Sequence, residues 1–180
     1  MNHLDLKGIL SDFHYSTNFL VNSDSNLSFC VSKISDLTPY FEDIEARKGH
    51  TEPITFGGSV EWMPIVALMS NGEPIGFTEF RIEAVPVYSG FEIQFSLEYL
   101  YLKEEHRGNG IFSEFSESLC EHLTEYLNPW FESNSHASAL FIFSAEYISI
   151  QGRKTGEKIH QHFEEFFEQY GSWEFVDSTM

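Results

Sequence analysis

The sequence contains few cysteines and no long apolar run. Its two cysteines, Cys30 and Cys120, lack the CxxC spacing that metal and redox sites use. No apolar stretch reaches the roughly 18 residues of a membrane span, and residues 1–10 lack the basic flank and apolar centre of a signal peptide. We therefore expect a reduced, cytoplasmic protein that does not enter a membrane.

Positive charge is scarce as well. The chain has 10 Lys and Arg against 28 Asp and Glu, which gives a formal net charge of −18. Such a surface repels the phosphates of nucleic acids and of anionic membranes, so neither is an expected partner. It favours a cationic partner, either a small-molecule amine such as a polyamine or a basic peptide. The charge could equally serve only to keep the protein soluble, and the sequence leaves both interpretations open.

Aromatic residues, by contrast, are abundant, with 18 Phe, 8 Tyr and 3 Trp in 180 residues. A chain of this length suits one domain with a sizeable core, which large rings can fill. Residues 1–26 are rich in Ser, Asn and Asp and are interpreted as an N-terminal arm. Residues 27–180 are interpreted as the folded domain.

The hydropathy pattern predicts the order β, α, loop, three antiparallel strands, α, β, α, β. Strands are expected over residues 27–33, 63–69, 74–83, 91–103, 138–144 and 173–176, and helices near 35–44, 112–126 and 159–170. A loop is expected over residues 51–59, and Asn128-Pro129 is expected to end the second helix. A strand–helix–strand unit after a meander implies an α/β (α+β) fold with a mixed, mostly antiparallel central sheet flanked by helices.

Residues 97–115 place a glycine-bearing turn between a strand and a helix. Gly108 and Gly110 permit backbone conformations closed to other residues and let N–H groups approach a ligand. The helix that begins near Ile111 directs its own unpaired N–H groups and partial positive charge at the same place. Together these features predict an anion site suited to a pyrophosphate. A tight turn without a ligand is the plainer alternative.

This stretch resembles motif A of the GCN5-related N-acetyltransferases (the GNAT superfamily). That motif consists of Arg or Gln, any two residues, Gly, any one residue, and then Gly or Ala. Arg107, Gly110 and Ile111 match it. The hairpin at residues 70–77 is similar to the family's turn between its second and third strands, and residues 166–171 are similar to the end of its last helix. The resemblance implies a GNAT-like domain.

The resemblance also implies acetyl-CoA as the acyl donor, wedged where the strands at 91–103 and 138–144 splay apart. Pantetheine amides would pair with the backbone near Leu100 and Leu102. The residues it assigns to CoA are Leu100, Tyr101, Leu102, Arg107, Gly108, Asn109, Gly110, Ile111, Phe112 and Ser113. Five cations are expected near the CoA phosphates, or else are ordinary surface residues: Lys103, Arg107, Arg153, Lys154 and Lys158.

Two positions depart from the family pattern. The final Gly or Ala of motif A is Phe112, which changes the approach of the backbone to the pyrophosphate on that side. The family's frequent tyrosine, which protonates the departing thiolate, falls at Phe167, which has no hydroxyl.

Glu98 is the candidate general base, because a carboxylate in a partly buried cleft has a raised pKa. The alternative is that Glu98 pairs with a residue of a neighbouring strand. Ser96, at a place where some family members carry their base, could order a water molecule. Tyr170, Tyr147 and Ser144 are the candidate acids, although Tyr170 also fits a core ring.

Other reactive side chains receive plainer interpretations. His160 and His162 lie two apart on a helix and point to different sides, so no metal is expected. Cys120 lies near the apolar face of its helix and is expected to pack there. The glutamates of the meander are candidates to line an acceptor site, or are solvated strand residues: Glu61, Glu73, Glu79, Glu83 and Glu92.

The expected function is that of an N-acetyltransferase that moves an acetyl group from acetyl-CoA to a primary amine of a small molecule, polyamine or peptide by direct attack. Two alternatives stay open. One is a catalytically degenerate GNAT-fold protein that acts as an acyl-CoA sensor or interaction module, which Phe112 and Phe167 favour. The other is an acidic mimic that occupies a basic surface. The sheet edge after Trp173 is expected to be completed either by a second copy, which would make the protein a homodimer, or by the N-terminal arm.

Overall fold

The computed structural model describes residues 5–15, 18–21, 26–88, 90–134, 138–146, 149–168 and 173–177. The helices are α1 (Leu6–Tyr15), α2 (Ile34–Leu37), α3 (Ile111–Ser133) and α4 (Ile150–Glu168), with 3₁₀ turns at Ile44–Ala46 and Glu104–His106. The strands are β1 (Phe19–Leu20), β2 (Leu27–Ser32), β3 (Ile54–Phe56), β4 (Ser59–Trp62), β5 (Ile65–Ser70), β6 (Glu73–Val87), β7 (Gly90–Leu102), β8 (Ser138–Ala145) and β9 (Trp173–Asp177).

The strands form one mixed sheet in the order β1-β2-β5-β6-β7-β8-β9, with the β3–β4 hairpin attached to β6. The β7–β8 and β8–β9 pairs are parallel, and the others are antiparallel. Helix α3 connects β7 to β8, and α4 connects β8 to β9. The expected fold class, a mostly antiparallel mixed sheet flanked by helices, is therefore confirmed.

The two faces of the sheet carry separate apolar clusters, because successive side chains of a strand point to opposite faces. On β5, Val66 and Leu68 join one cluster, and Ile65 and Ala67 join the other. Helices α1, α3 and α4 cover the first face, which we call the three-helix face. Residues 34–46 cover the second, which we call the α2 face.

The described part of residues 1–26 packs on the domain core. Leu6, Leu10 and Phe13 of α1 are buried in the cluster of the three-helix face, and β1 pairs with β2. Within the described residues, no helix is both long and apolar enough to cross a membrane.

Three local predictions were wrong. The helix expected near residues 35–44 ends at Leu37, because Pro39 lacks the N–H that would continue it. The loop expected at 51–59 contains the β3–β4 hairpin, because Gly57 and Gly58 adopt the positive φ angles of a tight turn.

Helix α3 does not stop at Asn128-Pro129 but continues to Ser133, with Pro129 inside it. Proline removes one hydrogen bond from a helix interior. The two residues that follow, Trp130 and Phe131, are 3% and 1% exposed. Burying these rings in the core offsets the lost bond and holds the last turn in place.

Candidate cofactor and acceptor site

The far end of β7 has a free backbone edge. The parallel pairing of β7 with β8 ends at Leu97↔Ala145, whereas β7 continues to Leu102 and stays paired with β6 on its other side. Residues 98–102 therefore have no strand partner on the β8 side among the described residues. This segment contains Leu100, Tyr101 and Leu102, which were expected to meet the pantetheine amides.

The turn after β7 presents open backbone. Gly108 and Gly110 have φ angles of 86° and 77°, in the left-handed region that favours glycine. No atom lies within 4 Å of the position that a Cβ would take on either residue. Gly110 is the N-cap of the 23-residue helix α3 and has no side-chain cap. Both glycine conformations agree with the predicted turn.

The N–H groups of this turn are available to a ligand. The carbonyl of Gly110 accepts the N–H groups of Ser113 and Glu114. Within the described residues, none of the backbone N–H groups at positions 108–112, which include Asn109, Ile111 and Phe112, donates to a protein acceptor. Unpaired N–H groups at the start of a long helix form an anion site.

Arg107 lies across the end of β7. Its Nε donates to the Leu102 carbonyl at 2.7 Å, and its guanidinium lies 5.7 Å from the Tyr101 ring centre. The Leu102 carbonyl is therefore already bonded in this state, and Arg107 borders both the free edge and the turn.

Of the other expected phosphate cations, Lys158 reaches the turn. Its ammonium on α4 donates to the Ser113 hydroxyl in the first turn of α3. Arg153 instead pairs with Glu157 on its own helix at 2.8 Å. Lys103 lies over the Phe41 ring on the α2 face, 5.4 Å from its centre. The structure thus brings Arg107 and Lys158 to the turn or its borders.

Phe112 packs against the helix that follows the glycine turn. Its ring packs edge-on against Phe115, with centres 5.2 Å apart, and it lies at the margin of the three-helix cluster. The departure from the motif at this position therefore adds a core contact.

Glu98 sits at a β-bulge. Glu79 of β6 pairs with Tyr99, and Phe80 pairs with Leu97, so Glu98 is the extra residue of β7. Bulges re-aim side chains and often occur beside active sites. Glu98 Oε1 is 3.6 Å from Nη2 of Arg81, and both side chains are about one-third exposed. The alternative pairing with a neighbouring strand is thus present, and the catalytic role stays a prediction.

A buried carboxylate lies next to this bulge. Glu79 is 3% exposed, and its Oε2 is 3.9 Å from Nη1 of Arg47. Burial raises the pKa of Glu79, and the charge of Glu98 adds to the rise; Arg47 and the N–H groups of Lys48 and Gly49 oppose it. Among the glutamates proposed to line an acceptor site, Glu79 is therefore the buried one.

Ser96 and Ser144 are joined across the last pairs of β7 and β8. Their hydroxyl oxygens are 2.7 Å apart, and Ser96 is 5% exposed. Each hydroxyl thus has a protein partner, and neither role predicted for these residues is tested by this contact.

Phe167, at the position where the family carries its acid, is packed in the core. Phe167 is 2% exposed, and its ring centre is 4.2 Å from that of Phe141. Tyr170 and Tyr147, the tyrosines predicted as alternatives, lie outside the described residues.

The remaining reactive side chains are accounted for by packing. Burial raises the pKa of the Cys120 thiol, which lies in the three-helix cluster. Burial lowers the pKa of His162, whose Nε2 is 3.4 Å from the Thr124 hydroxyl. In the part of the chain that the structure describes, no group of three His, Cys, Asp or Glu side chains is placed to hold a metal ion.

Sequence reasoning missed Arg47 and Arg81 and named Glu79 only as one of several acids. A signal was present: Glu79 and Arg81 interrupt the apolar run of β6. Charges within such a run need partners when the strand is buried. Nothing in the sequence around Arg47 indicated that it would lie near Glu79, because the two residues belong to segments that are far apart in the chain.

No protein-family profile and no curated protein matches the sequence. Solved structures with a similar fold include a ribosomal-protein-alanine N-acetyltransferase from Brucella melitensis biovar Abortus 2308, with 16% identity, a TM-score of 0.39, and coverage of 74% of this chain and 89% of that one. An aminoglycoside acetyltransferase from an uncultured soil metagenomic sample has 14% identity, a TM-score of 0.38, and coverage of 69% and 82%.

A transcriptional regulator from Bacillus halodurans C-125 is also similar, with 12% identity, a TM-score of 0.27, and coverage of 76% and 68%. At these identities and TM-scores the neighbours support no statement about activity or substrate. The fold class rests on the sheet topology itself.

Proposed function

We propose that the protein is an N-acetyltransferase that transfers an acetyl group from acetyl-CoA to a primary amine. The observation that carries this proposal is the row of N–H groups at residues 108–112, which have no partner among the described residues and follow a strand whose edge is likewise free of described partners. A pyrophosphate can accept hydrogen bonds from these N–H groups. An extended amide chain such as pantetheine can form hydrogen bonds with the free edge of the strand.

The residues present fit such a donor. Residues 108–112 and Lys158 would hold its phosphates, with Arg107 at their border, and the backbone at 98–102 would align the pantetheine arm. A backbone N–H near Leu100 would then polarise the thioester carbonyl, as an oxyanion donor does. The turn and the start of α3 form one continuous segment, since Gly110 is the N-cap of that helix.

The transfer requires a neutral amine. Its nitrogen attacks the thioester carbon, the C–N bond forms and the C–S bond breaks. The amine loses one proton to a base, for which Glu98 is the candidate, and the CoA thiolate takes up one proton. Because Phe167 is buried and has no hydroxyl, that proton must come from another group or from water.

Binding is tested by a thermal melt with acetyl-CoA. At about 100 times the dissociation constant the ligand should add about 2.7 kcal/mol, which raises the Tm of a chain of this size by about 5–10 °C. A release assay for the free thiol with a panel of amines then tests transfer. No shift at millimolar acetyl-CoA would contradict the proposal and leave the acidic mimic.

Gly110→Ala tests the turn itself. The left-handed conformation costs a non-glycine residue about 1–2 kcal/mol, and the added methyl group would occupy the open side of the turn. We expect the Tm shift with acetyl-CoA to disappear. Gly72→Ala is the matched control, since Gly72 has a φ of 83° and equally open surroundings in the β5–β6 hairpin. Gly72→Ala should lower the free energy of unfolding by a similar amount but keep the Tm shift with acetyl-CoA.

Glu98→Gln tests the base. The change removes the proton acceptor but keeps the size of the side chain, so turnover should fall by about 10²–10⁴-fold while the Tm shift with acetyl-CoA persists. Unchanged turnover would exclude Glu98 as the base.

A second candidate is an acyl-CoA-binding protein without catalysis, and the burial of Phe167 in the core favours it. In that case acetyl-CoA would raise the Tm, but no amine of the panel would release the thiol.

A further inference from the structure

Four charged side chains come together on the α2 face, beside the free edge of β7. Glu79 and Arg81 lie two apart on β6 and so point to the same face, about 7 Å apart along the strand. Glu98 is held at the bulge opposite them. Arg47 follows the 3₁₀ turn that covers this face, and its guanidinium lies over the Tyr99 ring, 4.2 Å from the centre.

The ion pairs of this cluster are too long to be hydrogen bonds. Arg47 and Glu79 are 3.9 Å apart, and Arg81 and Glu98 are 3.6 Å apart, whereas N–H···O bonds measure about 2.7–3.2 Å. The charges are balanced, and the backbone N–H groups of Lys48 and Gly49 act on the Glu79 carboxylate, but part of the hydrogen-bonding capacity of the cluster is left over. Within the described residues, Glu79 Oε1, Arg47 Nε and Arg81 Nε are out of solvent and have no partner.

Because these three orphan atoms are out of solvent, a ligand would reach them only by displacing the long ion pairs, and the atoms then define its chemistry. One is a carboxylate oxygen, which needs a donor, and two are guanidinium N–H groups, which need an acceptor. A single small ligand satisfies both requirements if it carries an ammonium group and a carboxylate close together. A simple polyamine satisfies only the first requirement.

The charge of the cluster agrees with such a ligand. Two arginines and two glutamates sum to zero, so these four side chains carry no net charge together. A neutral zwitterion fits the cluster without leaving an uncompensated charge, which would be costly in a buried place.

The cluster is open to solvent at its outer end. The side chains of Arg47, Arg81 and Glu98 are 27%, 34% and 33% exposed, whereas Glu79 at the bottom is 3% exposed. It also adjoins residues 98–102, where the proposed function places the thioester. An amine held here would lie next to the carbon that it attacks.

We propose that Arg47, Glu79, Arg81 and Glu98 form the acceptor subsite, and that this subsite selects an amine that carries a carboxylate near its amino group, as an α-amino acid does. The inference rests on the proposed function, because it places the acceptor beside acetyl-CoA.

The test measures binding rather than transfer. Isothermal titration of the CoA-loaded protein compares three pairs of ligands that differ by one carboxylate: lysine and cadaverine, tyrosine and tyramine, serine and ethanolamine. In at least one pair the amino acid should bind at least about tenfold more tightly, because it gains charge-assisted hydrogen bonds.

Arg47→Lys keeps the charge but removes the Nε donor and the planar fork. It should reduce the preference for the amino acid by about tenfold, and Arg81→Lys should do the same if the first variant does not fold. Lys48→Met is the matched control, since the neighbouring Lys48 is exposed; it should keep the preference.

Equal binding within all three pairs would overturn the inference, as would no binding by any of the six ligands. A preference that survives both arginine variants, or that Lys48→Met abolishes, would overturn it too. These results differ from a failure of the proposed function, which is the absence of any Tm shift with acetyl-CoA.

Discussion

On the three-helix face of the sheet, buried aromatic rings pack against one another. On the α2 face, charged groups lie buried beside a small apolar cluster. On the first face Phe163 packs between the rings of Phe95 and Phe141. On the second, Arg47 pairs with Glu79 and lies over Tyr99, which packs against the cluster that contains Phe41. Dense apolar packing contributes most of the stability of a domain. Buried charges with free hydrogen-bonding capacity reduce it.

The largest difference between the faces should come from truncating their rings. Phe163→Ala and Phe41→Ala each remove a buried ring, 1% and 5% exposed. Such changes cost about 3–5 kcal/mol of unfolding free energy. We expect the cost of Phe163→Ala at the upper end of this range, because other aromatic rings surround Phe163. We expect the cost of Phe41→Ala at the lower end, because the smaller cluster around Phe41 can relax. Urea unfolding measures both, and equal costs would remove the contrast between the faces.

A smaller effect is expected where the β7–β8 pairing ends. Ser144→Ala removes one of the two hydroxyl groups that are 2.7 Å apart and leaves that of Ser96, which is buried, without its partner. A lost hydrogen bond of this kind costs about 1–3 kcal/mol. The double variant with Ser96→Ala should recover part of the loss. If the two single costs simply add, the hydroxyl groups do not depend on each other.

The smallest effect should come from neutralising the buried carboxylate. Because burial raises the pKa of Glu79, the folded state holds this proton more tightly than the unfolded state. The unfolding free energy of the native protein therefore falls as pH rises from about 4 through the folded-state pKa. Glu79→Gln lacks this dependence, so its stability relative to the native protein should grow over that interval.

Melting curves between pH 4 and pH 8 would measure this gain, and Glu83→Gln on the same strand serves as the control. The effect is expected to be small because Arg47 and two backbone N–H groups oppose the shift. A gain that grows toward acid pH, or that appears equally in the control, would contradict the assignment.

Much of the fold could be read from local pattern. The hydropathy period predicts the strand of residues 90–102 and the helix that follows it. The placement of glycines predicts the left-handed turn between them. The predictions that were wrong concern elements whose ends depend on distant packing. The buried rings after Pro129 belong to the core of the three-helix face, and no local rule states that they will carry a helix past a proline.

The sequence by itself determined the glycine turn and the order of strands and helices from β5 to β9, because φ preferences and hydropathy periods act within a few residues. Only the tertiary structure placed Arg47 over Tyr99, Glu98 at a bulge and Glu79 beneath both. These contacts join segments up to about 50 residues apart, and the partner of a buried charge depends on the register in which β6 and β7 pair.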